Sequence, residues 1–516
     1  MSQSSNKTIA KNTLFLFFRT LLIMGISLYT SRVVLAELGV EDYGIYNVVG
    51  GIVAMLGFLN SAMVQASQRY LSFAQGTNNL ENQKKVFSTS ILIHATIAIL
   101  VVVLLETIGL WYVNTKVVLP AERLYAANII YQLSILIFLS RILVVPYNAS
   151  VIAHEKMDIY AYISIVDYML QLGLVFILQY ITYDKLVTYG VMVLAVACIH
   201  YIFYVLYTKC KFIECTFHWY KDWKLYKEMF SFASWAFLGG AGFVARNQGV
   251  NLVINLFCGP AVNAARGVAY QVSAAVQTLI SSFQQSMNPQ ITKRYASGDC
   301  ESMMVLVRAG SKYSFLLLLI CFVPILVRPE YILKLWLGTV PEYAAEFLVM
   351  AVSMALVTSM DGTLNTAMQA TGNIKVFQIT VSIIMCMDIP FAYLFLSLGI
   401  EPYLVTGVSI FTAILCLFAK LIILRKQVYY NISEFIFSIV CKNFILSTLI
   451  IFSFLHLSHY IADSLLGFIT LCFLSVAVNT PIIYVLGLKK SEREIIHSMI
   501  EQIISRFKNK KSNAQS

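Results

Sequence analysis

Leu14 to Ala36 is a predominantly apolar stretch broken by two arginines, Arg19 and Arg32; a charged turn from Leu38 to Tyr46 follows, then a second apolar stretch ending near Tyr70. At about 1.5 Å per helical residue, either apolar stretch is long enough to cross roughly 30 Å of hydrocarbon. A guanidinium at mid-bilayer costs at least about 2.5 kcal/mol. The two arginines therefore have to face other helices, water or headgroups, and the whole stretch reads as a transmembrane hairpin with something polar to do.

The plan returns about 220 residues later, in Val250 to Tyr295. Gly259 stands where Gly39 stood, Gln285 where Gln65 stood, and Arg294 and Tyr295 echo Arg69 and Tyr70 after a short insertion. Internal similarity at this period predicts two homologous halves. Each half holds an even number of spans, so the two are expected to be related by an axis along the membrane normal, with a cavity between them.

Hydrophobic residues make up 59% of the chain and charged residues 12%, with a mean hydropathy of +0.75, which excludes an ordinary soluble domain. The expected fold is an all-α polytopic membrane protein. Fourteen spans are read at 14–36, 45–67, 86–112, 124–146, 159–181, 187–208, 229–257, 262–287, 310–327, 343–368, 376–398, 403–424, 441–460 and 464–487. They predict two six-helix lobes, 1–208 and 229–426, joined by a cytoplasmic amphipathic helix over 209–228; spans 13 and 14 over 427–488 and a basic tail over 489–516 follow. No cleavable signal is expected, because the first apolar run is too long and carries Arg19.

A net charge of +11 suggests nucleic acid in a soluble protein, but here the charges follow the positive-inside pattern. Most lysines and arginines fall on the side of the N-terminus, while Arg32, Lys116, Arg123, Lys185, Arg328 and Lys334 fall on the other. Both termini are expected in the cytoplasm, with membrane lipids rather than nucleic acid as partners of the basic faces. The ten cysteines are scattered singly and read as buried thiols, and no cofactor or metal site is expected.

Span 7 is unusual in combining Gly239, Gly240, Gly242 and Gly249 with Arg246, Asn247, Gln248 and Asn251. Such a polar cluster avoids lipid, so it lines the cavity or satisfies neighbours in a tightly packed inner helix.

Ser31 and Arg32, Leu38 and Gly39, Asp42, Tyr43 and Gly44, and Tyr46 together resemble the opening signature of the bacterial polysaccharide-export proteins. These are flippases of O-antigen type, in the superfamily that also holds multidrug-and-toxin exporters and the peptidoglycan-precursor flippase. The resemblance implies a V-shaped pair of six-helix bundles in the bacterial inner membrane. It implies transport of a polyprenyl-diphosphate-linked oligosaccharide, an O-antigen or capsule-type repeat unit, to the outer leaflet by alternating access. Glycan polymerase or assembly proteins are then candidate partners.

Arg19, Arg32, Arg141, Arg246 and Arg266 lie in or at the ends of spans. Guanidinium suits a diphosphate because it stays charged and bonds bidentately. Arg246 and Arg266, with Asn247 and Gln248, are the expected diphosphate site, joined by Arg19 and Arg32; the competing reading for each arginine is a helix-end snorkel or, for Arg141, an ion pair. Glu106, Asp167, Asp361 and Asp388 are the acids within spans. The 220-residue period sets Asp167 opposite Asp388 and Arg141 opposite Asp361, and the acids read as sites for a coupling ion or as ion-pair partners of the arginines. A multidrug exporter would line its path with carboxylates and aromatics instead. A polytopic glycan polymerase or ligase would need a large outer loop or a catalytic cluster, and the sequence offers neither.

Overall fold

The computed structural model of the chain describes residues 3–54, 56–77, 79–115, 120–488 and 492–493. Every regular element among them is helical. Eleven stretches, from Lys11–Gly39 to Leu465–Gly487, are long and apolar enough to cross a membrane. Three further crossings are residues 40–76, interrupted before Gly57, and the legs 223–258 and 260–296 of the long helix Trp223–Ala296, which brings the number of spans to the expected fourteen.

The hairpins turn more tightly than the sequence suggests. The expected turn from Leu38 to Tyr46 is one residue, Gly39, whose φ of 76° and ψ of 170° interrupt a helix that otherwise runs from Gln3 to Ala54. Gly259 does the same in the long helix, with φ 78° and ψ 179°. Two glycines 220 residues apart in the same conformation show that the sequence period is a structural one. Glu41 and Asp42 are therefore helical, not loop, residues.

The link between the halves also differs. An amphipathic helix over 209–228 is not formed: helix Lys185–Lys211 ends, residues 212–222 are irregular, and Trp223 opens the next helix. Asp222 supplies the reason, since its carboxylate caps the new helix by accepting from the Leu225 N–H at 3.0 Å. The His218 N–H is spent on the Ser88 hydroxyl at 3.1 Å, which fixes the segment as a strap on the first half. Of the basic tail expected over 489–516, all but Glu492 and Arg493 lies outside the described residues.

Buried apolar side chains gather in two large clusters, one between Val34 and Met229, the other drawn mainly from Phe232 to Ile483. Helices Lys442–Ser458 and Leu465–Ile482 pack on Cys300–Val327 and join the second cluster. Ala62 and Ala66 carry helix Gly57–Gly76 across into that cluster, so this helix belongs to the contact between halves.

That contact is concentrated at the end of the molecule where the chain begins, termed here the proximal end. Thr13 bonds Ser286 and Thr20 bonds Ser282, each at 2.9 Å. Glu155 accepts from Gln290 at 2.5 Å and from Lys293 at 2.8 Å. Gln369 donates to Gln65 at 2.8 Å, and Arg69 donates to the carbonyls of Gln369 and Ala370 at 3.2 and 3.1 Å. The two bundles are thus latched by polar bonds at their proximal ends.

Candidate functional site

In the second half, four of the charges within spans are closed into two buried pairs. Arg246, on leg 223–258, donates from Nε to Asp388 Oδ2 at 2.6 Å, and the two side chains are 3% and 1% exposed. The other carboxylate oxygen accepts from Thr412 at 2.5 Å, and an Arg246 terminal nitrogen rests 3.5 Å from the Met354 sulfur. Asp388 begins helix Asp388–Ser397 after a break in the span, which lets its carboxylate reach the bundle interior. Lys420 pairs with Asp361 in the same way, and all four charges surround Cys416. Arg246, expected as part of a diphosphate site, thus already has a carboxylate partner, on the eleventh span.

Arg266 lies near Arg246 but is differently held. Its guanidinium stacks over the Tyr270 ring at 4.4 Å and donates to Asn251, while Nε is buried without an acceptor. The Tyr270 hydroxyl reaches the same Met354 sulfur, at 3.7 Å, so Arg246 and Arg266 share one neighbourhood through Met354. Gln248 is exposed and accepts from Asn251 at 3.4 Å; Asn247, next to it, is half-buried.

The first half is looser. Arg19 sits on the Tyr160 ring at 4.5 Å with its Nε buried and unbonded. Asp167 accepts from Gln171 at 3.1 Å and faces His200 Nδ1 at 3.5 Å, with side chains 18% and 23% exposed. Arg141 is exposed and contributes to the field at Tyr46, and Arg32 is exposed near the end of its helix. Among the described residues Arg19, Arg32, Arg141 and Arg266 have no carboxylate partner. Glu106 accepts from Gln132 at 3.1 Å in a π-helical turn whose Leu105 carbonyl is satisfied by Tyr131 at 2.7 Å.

Two pairings read from the repeat are therefore corrected. Asp388 is not the partner of Asp167, and Asp361 is not the partner of Arg141; repeat-related positions occupy equivalent places in different bundles. The partners that sequence reasoning missed, Lys420 and His200, are themselves 220 residues apart. The period marks them as equivalent in-span positions, but it does not say which acid each one meets.

The signature residues sit at the distal end, opposite the latch. Arg123 bonds Asp42 at 2.8 and 2.5 Å and Asp184 at 2.6 and 3.2 Å, tying the Gly39 hairpin to the starts of two other spans. Asp184 also caps helix Lys185–Lys211 through the N–H groups of Leu186 and Val187. Burial pushes the Asp184 carboxyl up, but the bonds from Arg123 and the two N–H groups outweigh it and hold the carboxyl below its usual range. Lys185 adds a bond to Glu37 at 2.9 Å. Asp42 of the signature is thus a clamp residue at the mouth between spans.

A sequence model of the family described as polysaccharide biosynthesis protein matches residues 9–294, and the MatE model matches residues 241–394. No curated protein matches the chain. Among solved structures, the chain is similar to the outward-facing conformation of a multidrug resistance MATE family transporter of the MOP superfamily, with TM-score 0.71 and 13% identity over 82% of this chain and 96% of that one. It is also similar to a MOP superfamily transporter from Pyrococcus furiosus, described by a binding pocket of reversed polarity, with TM-score 0.65 and 14% identity over 83% and 96%. A MATE protein in complex with MaD3S gives TM-score 0.67 and 14% identity over 82% and 97%. At such identities the likeness speaks for the fold alone: two helical bundles arranged as in those structures. The family match spans more than half of the sequence and contains the Gly39 hairpin with its Asp42 clamp, and by that match the chain belongs to the polysaccharide biosynthesis protein family.

Proposed function

We propose that this protein is a flippase that carries a polyprenyl-diphosphate-linked oligosaccharide from the inner to the outer leaflet of the bacterial inner membrane by alternating access. The proximal end is then cytoplasmic, with both termini inside. The observation that carries the reading is the set of in-span guanidiniums without a carboxylate: Arg19 and Arg266, seated on tyrosine rings and each with an unbonded buried Nε, and the exposed Arg141. A charge held that way in low dielectric gains both neutralisation and charge-assisted hydrogen bonds when a diphosphate arrives. Arg246 has its counter-ion already and serves the scaffold.

In this reading the latched proximal ends belong to the state that presents cargo to the outer leaflet, and the latch must part for loading. Asp167 and His200, half-open to solvent, are the proposed coupling pair, because a proton on either alters their attraction. The test is reconstitution of the full chain in vesicles with a fluorescent polyprenyl-diphosphate sugar in both leaflets and a membrane-impermeant quencher. Wild-type protein is expected to expose the inner-leaflet label, while Arg19→Ala and Arg266→Ala slow the rate at least about tenfold at equal folded amount, roughly the loss of one charge-assisted contact. Transport of an organic cation with no movement of the lipid-linked sugar would overturn the proposal in favour of a multidrug exporter.

A further inference from the structure

A cavity of about 890 Å³ lies at the proximal end, apart from the in-span arginines. It is walled by both halves: Arg69 to Ala74 and the start of the third span on one side, the first turns of helix Trp223–Ala296 and the connection Thr371 to Lys375 on the other. Four cations face it, Arg69, Lys224, Lys227 and Lys375, against one carboxylate, Glu228. None of the four is in an ion pair among the described residues. Like charges around one space repel, and the repulsion persists until an anion enters.

The positions of these cations are built, not incidental. Arg69 Nε and one terminal nitrogen are spent on the carbonyls that end helix Gly362–Thr371, and the guanidinium is held over Tyr70 and Phe73 at 4.3 and 4.9 Å. Among the described residues no hydrogen bond engages its second terminal nitrogen. Gly372 makes room for the fork, since a Cβ there would stand 2.6 Å from the bonded nitrogen. Lys375 rests 5.3 Å from the Trp235 ring and opens its helix behind an apolar cap, Ile374, with no acidic residue in that helix's first turn. Trp223, adjacent in sequence to the lining residue Lys224, is 76% exposed, and Trp219, in the strap that leads to it, is 69% exposed. Exposed tryptophans among lysines mark the depth of lipid headgroups. The space is also far larger than an inorganic phosphate fills.

From this geometry we infer that the proximal cavity binds the phosphate of an anionic membrane lipid, and that the bound headgroup bridges the two halves and favours the latched state. The guanidinium fork takes the phosphate oxygens, the three lysines close around it, and the acyl chains leave past the tryptophans. Because the walls come from both halves, the site is complete only while the proximal ends are together. A ligand that binds one state better shifts the population toward it. The inference does not depend on which cargo is carried: if no lipid-linked sugar moves, headgroup binding still stands or falls by itself.

The experiment uses the full chain in phosphatidylcholine nanodiscs titrated with phosphatidylglycerol, read by native mass spectrometry and by hydrogen exchange of peptides over 65–76 and 369–375. Expected are specific phosphatidylglycerol adducts on wild-type protein and slower exchange of both peptides. The triple variant Lys224→Gln, Lys227→Gln, Lys375→Gln should bind on the order of a hundredfold more weakly, given about one kcal/mol for each juxtamembrane lysine. Lys209→Gln with Lys211→Gln, proximal but outside the cavity, should bind as wild type does. Wild-type affinity in the triple variant overturns the site. Equal occupancy and protection by inorganic diphosphate at matched ionic strength overturns the lipid as ligand, and adducts without slower exchange overturn the bridging.

Discussion

The two halves share one frame and spend their charges differently. At positions related by the 220-residue period, the second half has Asp361, Asp388 and Lys420, and the first has Arg141, Asp167 and His200. The second half buries two complete pairs, Arg246 with Asp388 and Lys420 with Asp361, and leaves Arg266 without a carboxylate among the described residues. The first half leaves an arginine exposed and a carboxylate 3.5 Å from an imidazole. A buried pair is costly to open, whereas half-solvated partners exchange cheaply. The contrast assigns rigidity to the second bundle and responsiveness to the first.

The comparison breaks most visibly at Asp388. Asp388→Leu leaves Arg246 buried without a counter-ion and should cost about 3–5 kcal/mol, seen as near loss of folded protein in membranes. Adding Arg246→Met should restore much of it; wild-type abundance in both single variants would remove the pair from the scaffold. Asp361→Leu should lower the folded amount by about 2–4 kcal/mol, less because Asp361 is 14% exposed, and Lys420→Met, not Arg141→Gln, should rescue it. Rescue by Arg141→Gln would restore the pairing read from the sequence period.

A smaller effect is expected at the distal clamp. Arg123→Ala should lower the melting temperature by the equivalent of about 1–2 kcal/mol, since two carboxylates lose a bidentate partner at a partly exposed site. The Asp184 carboxyl is held below its usual range, so its contribution is complete above about pH 4 and is lost as pH falls through the lowered value. Wild-type stability should therefore drop on acidification in that window, by at most about 1 kcal/mol after solvent screening, and Arg123→Ala should flatten the drop. The smallest change in stability, under about 1 kcal/mol, is expected for Asp167→Asn and His200→Gln. Each should instead shift the pH profile of transport, and an unchanged profile in both would leave the first half without a coupling role.

The fold was legible because spans are written in length and apolarity, and the repeat because a glycine at a forced turn leaves a mark that drifting helices do not erase. The partners were not legible. Whether Arg246 meets Asp388 depends on how a helix is rotated and where the eleventh span breaks, and neither is encoded in spacing. The strap 212–222 misled for a related reason: alternating aromatics and lysines suit an interfacial helix, but the Asp222 cap starts the helix later. Glu41 and Asp42 misled in the opposite direction, since charge suggested a loop where Asp42, in a continuing helix, instead accepts from Arg123.

Gly39 and Gly259 have open space where a Cβ would project, so only the sign of φ excludes other residues there. Their ψ near 170–180° lies outside the left-handed helical well, so even asparagine, the usual substitute for glycine at positive φ, does not fit. The constraint is one of chirality alone. A D-alanine introduced by semisynthesis should sit at either hinge without strain and narrow the unfolded ensemble, while L-alanine at the same atom count should unseat the hairpin. The two places that define the architecture thus demand mirror-image stereochemistry, and glycine is the one encoded residue that has it.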